Sequence, residues 1–372
     1  MAVDFLDLKR GYRNLQPQLD AALMDVVESQ RFILGAPVEE LEEAVREYTG
    51  AAYAVACASG TDALLLSLRA LELEPGSEVI VPTFTFFATA GAVWNAGLKP
   101  VFVDVDPMTF NINVDLVEEA VGPKTRAVIP VHLFGDMVDM ESLMDLADAR
   151  GLKVIEDAAQ AFGSQQRTSD GWRHAGTLGD TGCYSFFPTK NLGGFGDGGM
   201  VVTGNQDLAT KLAKLRVHGG RQMYDHEMVG TNSRLDALQA AVLRVKLTAV
   251  TEWVMDRRKC ACFYNAALVD MWGELQVPMV VAGNAHSYNL YTVQATRRDQ
   301  LREYLGERGI GCGVYYPVPL HLQRCFAELG YGEGDFPISE YLSKVVLSLP
   351  IYPELTTEEI DEVADAIRSF YH

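Results

Sequence analysis

Short apolar runs rich in β-branched residues alternate with amphipathic stretches along the chain from about residue 50 onward. The apolar runs include AYAVACAS, EVIVPTF, PVFVDVD and RAVIPVHLF, and the stretches after them repeat their apolar positions with the period of a helix. Near-continuous apolar strands separated by helices are typical of a parallel sheet that is covered on both faces. The pattern therefore predicts an α/β fold with a mainly parallel central sheet flanked by helices, and ligands at the carboxyl ends of its strands.

The pattern changes in the last third of the chain. A long helical stretch is predicted from Ser233 to about Met271, followed by strands near LQVPMVV and YNLYTVQATR. A final helix is predicted after Thr356, because Thr356 and Glu359 have the spacing of a capping box. With 372 residues available, we predict a large α/β domain over residues 1–250 and a smaller C-terminal α+β domain over residues 251–372.

The charge balance disfavours two classes of partner. The chain has 31 Lys and Arg against 50 Asp and Glu, for a formal net charge of −19, so its field repels nucleic acids and anionic lipid surfaces. Residues 79–98 carry no charge over a length that spans a bilayer, but Pro82 and several polar residues interrupt them. We predict a buried strand and helix there, and neither a nucleic-acid nor a membrane partner.

Cysteine usage and the amino-terminal segment predict a cytoplasmic location. The six cysteines form no C-x-x-C pair and have no histidines at zinc-finger spacing, so we expect reduced thiols and no structural metal. The segment MAVDFLDLKRGYRN lacks the apolar core of a signal peptide.

The most informative segment is SFFPTKNLGGFGDGG, in which Lys190 lies between an aromatic strand end and a run of glycines. Most lysines are simply exposed on loops. Here the apolar flanks disfavour the ammonium form and the glycines let the backbone approach a ligand, which makes Lys190 a candidate Schiff-base nucleophile. The same segment fits the dinucleotide-binding pattern G-x-G-x-x-G at Gly194, Gly196 and Gly199. These glycines precede a strand, whereas the pattern requires glycines that open a helix, so a nicotinamide-dependent oxidoreductase is the less favoured alternative.

Two further strand ends have residues suited to a charged ligand. In CASGTDAL a helix is predicted to begin, with Ser59 or Thr61 as its cap. The small Gly60 allows an anion to reach the exposed backbone amides at this helix start. An ordinary capped turn that binds no ligand is the alternative. In VIEDAAQ, Glu156 and Asp157 point to opposite faces of the strand, so one carboxylate is available either to a pyridine nitrogen or to an ion pair.

A third strand end adds aromatic side chains. Phe84, Phe86 and Phe87 follow the strand EVIVP, where one ring can stack on a flat cofactor while core packing accounts for the others. Pyridoxal 5'-phosphate (PLP) requires this combination of groups: a lysine that forms an imine, an anion site, a carboxylate for the ring nitrogen and an aromatic ring that stacks on the cofactor.

These segments resemble the DegT/DnrJ/EryC1/StrS family of PLP-dependent nucleotide-sugar aminotransferases, of the fold-type I (aspartate aminotransferase-like) superfamily. The resemblance extends from RFILGAPVEELEE through SGTDALLLSLRAL, IEDAAQAFGS and SFFPTKNLGGFGDGG to GTNSRLDALQAAVLRVKL and YYPVPLHLQ. It implies a homodimer with a shared active site, and a smaller second domain.

The resemblance also implies roles for individual residues. Lys190 and Asp157 are the implied catalytic residues, with Lys190 bound covalently to PLP and Asp157 paired with its ring nitrogen. The other implied cofactor-binding residues are Gly60, Thr61, Phe86, Gln160, Ser185 and, from the partner subunit, Asn232. The implied substrate-binding residues are Arg234, Tyr316 and His321, with an interface ion pair as the alternative role for Arg234.

The implied reaction moves an amino group from glutamate to a ketosugar linked to UDP or dTDP, in amino-sugar and O-antigen polysaccharide biosynthesis. A 3-ketosugar is favoured over a 4-ketosugar, and Tyr315 replaces the histidine of some relatives that act on hexuronic acids. The retained lysine favours transamination over the dehydration catalysed by relatives that have histidine there. A non-catalytic, sugar-binding regulator is the remaining alternative, although such a protein is expected to have lost Lys190 or Asp157.

Overall fold

The computed structural model describes residues 2–220 and 224–372. Its helices are α1 (Leu8–Ser29), α2 (Ala36–Thr49), α3 (Gly60–Ala70), α4 (Ala88–Asn95), α5 (Val114–Ala120), α6 (Met140–Arg150), α7 (Gln206–Leu215), α8 (Ala237–Leu247), α9 (Val250–Leu268), α10 (Arg298–Glu307), α11 (Pro337–Val345) and α12 (Thr357–Tyr371). Its strands are β1 (Tyr53–Cys57), β2 (Glu78–Pro82), β3 (Lys99–Val103), β4 (Thr125–Val128), β5 (Lys153–Asp157), β6 (Gln165–Thr168), β7 (Gly171–His174), β8 (Thr181–Ser185), β9 (Gly199–Thr203), β10 (Leu275–Gln276), β11 (Asn284–Ala285), β12 (Tyr291–Ala295) and β13 (Val346–Leu349).

A seven-stranded sheet in the order β1-β9-β8-β5-β4-β2-β3 forms the centre of the molecule. Strands β3, β2, β4, β5 and β8 pair in parallel, and only β9 pairs antiparallel with both of its neighbours. Successive residues of β2 alternate between two apolar clusters, with Val79 and Val81 in one and Ile80 in the other. Both faces of the sheet are therefore covered, which confirms the predicted α/β fold with a mainly parallel sheet.

The C-terminal third contains a second sheet, of strands β10-β12-β13, with α9, α10 and α12 packed around it. The capping box at Thr356 and Glu359 is formed as predicted. The division at residue 250 stays a prediction, because α9 contributes Val250 and Val254 to the core under the central sheet and Cys260 to the core of the smaller sheet.

The helical stretch predicted from Ser233 to about Met271 begins at Ala237 and is divided into two helices. The chain is helical in α8 and again in α9, and between them Thr248 and Ala249 form a turn whose amides bond to carbonyls three residues back. Leu243 and Val250, on either side of this turn, pack into the same core cluster. A continuous apolar pattern does not reveal such an interruption of the helix.

The uncharged stretch at residues 79–98 folds as β2 followed by α4, as predicted. Across residues 2–220 and 224–372, the helices are all too short or too polar to cross a membrane.

Candidate active site

A cavity of about 570 Å³ opens at the carboxyl edge of the central sheet. Asp157 ends β5, Ser185 ends β8 and Gly60 begins α3, so parallel strands deliver these residues to one edge. Eight of the predicted site residues line the cavity: Gly60, Thr61, Phe86, Asp157, Gln160, Ser185, Lys190 and Tyr316. The fold thus brings together segments separated by more than 250 positions in the chain.

Glu156 and Asp157 point to opposite sides of β5, as the strand period predicts. Glu156 is fully buried away from the cavity, where its carboxylate lies 2.8 Å from His132 Nε2 and accepts hydrogen bonds from three backbone amides between residues 176 and 179. Burial alone raises the pKa of Glu156, but these partners bring it below its ordinary value. Glu156 therefore holds a loop in place, and Asp157 is the carboxylate available to a ligand.

Asp157 is buried at the floor of the cavity with few partners. Its Oδ2 accepts a hydrogen bond from Thr89 Oγ1 at 2.8 Å, and its Oδ1 accepts one from the amide of Ala159 at 3.2 Å. Burial raises the pKa of Asp157, while these two bonds and the charge of Lys190 act in the opposite direction. A cation bound beside this carboxylate, such as a protonated ring nitrogen, stabilises its ionised form.

Lys190 lies in a turn after β8, closed by its own amide bonding to the carbonyl of Phe187 at 2.9 Å. Within the described part of the chain its Nζ makes no hydrogen bond. Desolvation lowers the pKa of Lys190 to about 8, although the charge of Asp157 acts to raise it. At pH 7 roughly one amine in ten is then neutral, against fewer than one in a thousand at the ordinary value. The side chain is suited to act as a nucleophile and to carry a proton.

The start of α3 forms a corner of the cavity with free backbone amides. Ser59 is the cap, since its Oγ accepts the amide of Asp62 at 3.1 Å. A Cβ on Gly60 would lie 2.6 Å from Cβ of Ser185, so only glycine lets the helix start reach the end of β8. Ser233 ties the segment before α8 to this corner by donating to Asp62 Oδ2 at 2.8 Å. The amides and the Ser185 hydroxyl together can bind a phosphate group.

The glycines after Lys190 make room for other parts of the protein. A Cβ on Gly199 would lie 2.3 Å from the carbonyl oxygen of Ser59, and one on Gly194 would lie 2.8 Å from Gln239 Oε1. The predicted role of these glycines in approaching a ligand is thus replaced by close packing of protein segments. Gly199 also begins β9 and does not open a helix, which is the wrong context for a dinucleotide fingerprint.

Aromatic side chains also line the cavity. Phe86 is 55 % exposed, and its ring centre lies 6.2 Å from that of Tyr316. Phe84 is buried in the protein, and Phe87 stacks on Phe326 at 5.5 Å between ring centres. One of the three neighbouring phenylalanines therefore faces the cavity, in accord with the sequence interpretation.

Gln160 is held between two partners. Its Oε1 accepts the amide of Phe134 at 2.8 Å, and its Nε2 donates to the Tyr316 hydroxyl at 2.9 Å. The link from Gln160 to Tyr316 joins the loop after β5 to the loop before α11, 156 positions apart. The sequence implied a cofactor role for Gln160 and a substrate role for Tyr316, and gave no sign that the two side chains are in contact.

Asn232 and Arg234 lie outside the cavity. Asn232 is exposed and pairs through its backbone with Val217, and Arg234 is half-buried. Neither lines the cavity of this subunit. Their predicted roles in a site shared between subunits stay predictions.

The structure does not support a substrate-binding role for His321. This side chain is 2 % exposed and lies outside the cavity. Its Nδ1 lies 2.8 Å from Thr83 Oγ1 and its Nε2 lies 3.1 Å from Glu340 Oε1, so both ring nitrogens are occupied. His321 instead joins the loop after Tyr316 to the end of β2, the strand that precedes Phe86.

Two polar residues of the cavity wall were not found in the sequence analysis. Arg257 of α9 and Asn289, which precedes β12, both line the cavity. Local pattern does not distinguish Arg257 from its neighbour Arg258, whose side chain lines a different surface groove. Only the packing of the C-terminal third against the central sheet places Arg257 here.

The residues of the cavity fit PLP. The Lys190 amine, which has no hydrogen-bond partner among residues 2–220 and 224–372, shares the cavity with the buried Asp157 carboxylate and the exposed ring of Phe86. Gly60 keeps side chains out of the amide corner beside Ser185. The cavity volume also exceeds what a cofactor of that size occupies, which leaves space for a substrate.

Comparisons with known proteins give concordant results. The model of the DegT/DnrJ/EryC1/StrS aminotransferase family matches residues 14–368. A protein of Geobacillus stearothermophilus named pleiotropic regulatory protein is 48 % identical over 372 residues, which are 100 % of this chain and 99 % of that protein. The UDP-N-acetyl-3-dehydro-alpha-D-glucosamine 3-aminotransferase of Acidithiobacillus ferrooxidans is 44 % identical over 371 residues, 100 % of this chain and 98 % of that one.

Among solved structures, S. venezuelae DesV in complex with a ketimine intermediate superimposes with a TM-score of 0.96 at 43 % identity. The match covers 99 % of this chain and 98 % of that one.

Proposed function

Because the chain belongs to the DegT/DnrJ/EryC1/StrS aminotransferase family, we propose that it transfers an amino group from L-glutamate to a nucleotide-linked 3-ketosugar. The observation that carries the proposal is the Lys190 amine, which lies without a hydrogen-bond partner among the described residues in the same cavity as Asp157. The cofactor is PLP, which when bound supplies a reactive carbonyl carbon and an electron sink for the carbanion that transamination requires.

Lys190 and Asp157 have complementary tasks. With a pKa of about 8, Lys190 Nζ is suited both to bond covalently to the cofactor and, once released, to move a proton from one carbon to another. Asp157 holds a proton at the ring nitrogen, and the hydrogen bond from Thr89 orients its carboxylate. The amides at the start of α3, with Thr61 and Ser185, bind the phosphate, while Phe86 and Gln160 position the ring.

The 3-ketosugar is favoured by the name of the Acidithiobacillus relative, whose substrate is a 3-dehydro sugar on UDP. Tyr315 and Tyr316 line the cavity and are the proposed sugar contacts. A 4-ketosugar and a dTDP carrier are the alternatives that an assay must separate. The Geobacillus relative is named a regulatory protein, but Lys190, Asp157 and the cavity around them favour catalysis in this chain.

A homodimer with a shared site is part of the proposal. Phe32 and Ile33 are exposed apolar residues beside the segment that contains Asn232 and Arg234, since Ile33 pairs with Asp236. Covering this surface with a second copy of the chain would bury it and would give Asn232 access to the partner's cofactor. A cytoplasmic location and a place in O-antigen polysaccharide biosynthesis likewise remain predictions.

The test is covalent labelling with a matched control lysine. Borohydride reduction of the PLP-loaded protein, followed by peptide mapping, is expected to label Lys190. Lys246 is the control, because burial lowers its pKa to about 8 as well, but its Nζ donates to the carbonyl of Gly193 at 2.7 Å outside the cavity. Label on Lys246 or on neither lysine would refute the assignment.

The substrate is tested separately with glutamate and a panel of 3- and 4-ketosugars on UDP and dTDP. Mass spectrometry is expected to detect an amino sugar from a 3-ketosugar, and Lys190→Ala is expected to form none. Product from 4-ketosugars alone would contradict the substrate proposal without affecting the assignment of Lys190.

A further inference from the structure

One wall of the cavity comes from parts of the chain far from Lys190 in sequence. Arg257 of α9, Asn289 and Ile351 line it together with Phe5 from the amino-terminal segment. The wall combines a cation and an amide with apolar side chains. None of these four residues has a role in the proposed binding of the cofactor.

Arg257 is a buried cation whose charge is not neutralised by direct contact. It is 4 % exposed, and its Nη1 donates to the carbonyls of Tyr288 at 3.1 Å and Ile351 at 2.8 Å. Its Nε is buried without a hydrogen-bond partner, and no carboxylate among the described residues lies within ion-pair distance. Desolvation lowers its pKa to about 10, so the guanidinium stays charged at neutral pH. The charge of Glu354 acts to raise the pKa of Arg257, but Glu354 makes no ion-pair contact with it. Buried charges are normally paired directly, so this one lacks a bonded anionic partner.

Asn289 lines the same cavity and has an unsatisfied group of its own. Its side chain is 7 % exposed, and its Oδ1 is buried without a hydrogen-bond partner. The carbonyl of Tyr288 that Arg257 binds belongs to the residue directly before Asn289, and both Arg257 and Asn289 line the cavity. A half-turn of the amide exchanges Oδ1 with Nδ2, so Asn289 can donate to a ligand.

We propose that Arg257 and Asn289 bind the distal carboxylate of the amino donor. The inference rests on the proposed function and names the part of the cavity that selects an acidic amino acid. One guanidinium matches one carboxylate in charge and in fork geometry, whereas the diphosphate of a nucleotide sugar has more charge than this wall can neutralise. The apolar side chains of Phe5 and Ile351 suit the methylene groups of glutamate.

The first experiment measures binding of unreactive analogues to the PLP-loaded protein by titration calorimetry. Glutarate retains both carboxylates of glutamate without its amine, and butyrate lacks one carboxylate. We expect glutarate to bind about 10- to 100-fold more tightly than butyrate, because only glutarate has a second carboxylate that can form a hydrogen-bonded charge pair with Arg257. Equal affinities for the two acids would overturn the proposal.

The second experiment compares variants. Arg257→Met and Asn289→Asp are each expected to reduce glutarate affinity about 10- to 100-fold, to the level of butyrate. Arg258→Met is the matched control, because Arg258 is the adjacent guanidinium and also donates to two carbonyls, those of Ala285 and His286, but lines a different groove. Its glutarate affinity is expected to equal that of the unmodified protein.

The possible results separate the inference from the proposed function. If Arg257→Met fails to fold, Asn289→Asp decides, because Asn289 makes neither carbonyl contact of Arg257. If folded variants bind glutarate normally, or weaken only the nucleotide sugar, the donor subsite is wrong. If the unmodified loaded protein exchanges no amino group with glutamate, the donor named in the proposed function is wrong.

Discussion

Replacing Thr89 by valine removes the hydroxyl that donates to Asp157, together with its 3.2 Å contact with Thr85 Oγ1. Valine has nearly the shape of threonine, and Thr89 is fully buried, so the substitution removes a hydroxyl with little change in volume. The lost bond is the 2.8 Å contact from Thr89 Oγ1 to Asp157 Oδ2, one of the two hydrogen bonds that the carboxylate accepts in the described structure. Because burial already raises the pKa of Asp157, the variant raises it further.

The magnitude follows from the strength of a hydrogen bond to a charged group. Such a bond contributes about 1.5 to 3 kcal/mol, which corresponds to a change of about 1 to 2 in the pKa of the carboxylate. Only the ionised carboxylate pairs with a protonated ring nitrogen, so PLP affinity falls as pH decreases through the pKa of Asp157. The midpoint of that fall is expected to lie about 1 to 2 pH units higher in Thr89→Val than in the unmodified protein.

The assay is the dissociation constant of PLP, measured by absorbance on the cofactor-free protein between pH 5 and pH 9. Thr89→Ser keeps the hydroxyl and is expected to restore the unmodified pH profile. If Thr89→Val and the unmodified protein have the same profile, Thr89 does not tune Asp157 and the reasoning is wrong. A uniform loss of affinity at every pH would indicate disturbed packing instead.

Three further outcomes are expected. Asp157→Asn removes a buried carboxylate whose pKa is raised on folding and whose charge therefore costs stability as pH rises. At pH 8 the free energy of unfolding of the cofactor-free variant should exceed that of the unmodified protein by about 1 kcal/mol, with a higher melting temperature and weaker binding of PLP; a lower melting temperature would contradict this. His321→Leu removes the hydrogen bonds to Thr83 and Glu340 and should lower the free energy of unfolding, measured in urea, by about 2 to 4 kcal/mol. A variant with unchanged stability and a raised KM for the sugar would instead indicate that His321 binds the substrate. Gly60→Ala should weaken PLP binding at least tenfold in an absorbance titration, because its Cβ would lie 2.6 Å from a side chain of β8, and unchanged binding would show that the corner can widen.

Much of the site followed from local pattern. Strand period alone predicted that only one of Glu156 and Asp157 faces a ligand, and a strand ending in small residues before a helix predicted the amide corner at Gly60. The chemistry that PLP requires pointed to Lys190 and to one carboxylate of this pair, and the resemblance to the family implied that this carboxylate is Asp157. These inferences depend on residues within one strand or one turn, where the order of the chain determines geometry.

The remaining features depend on which segments meet. His321 has the polar ring of a ligand-binding residue, and only its contacts with Thr83 and Glu340 show that its nitrogens are already used. Arg257 and Arg258 are indistinguishable in the chain, yet one faces the cavity and the other a surface groove.

The amino-acid sequence by itself determined the α/β class, the strand ends and the residue types available for chemistry, because hydrophobic period and turn chemistry act over a few residues. Tertiary structure alone decided which polar groups are satisfied by the protein and which are left for a ligand. The physical reason is that burial and hydrogen-bond partners are set by contacts between distant segments. These contacts fix the pKa of Lys190 and leave Arg257 Nε and Asn289 Oδ1 without a hydrogen-bond partner among the described residues.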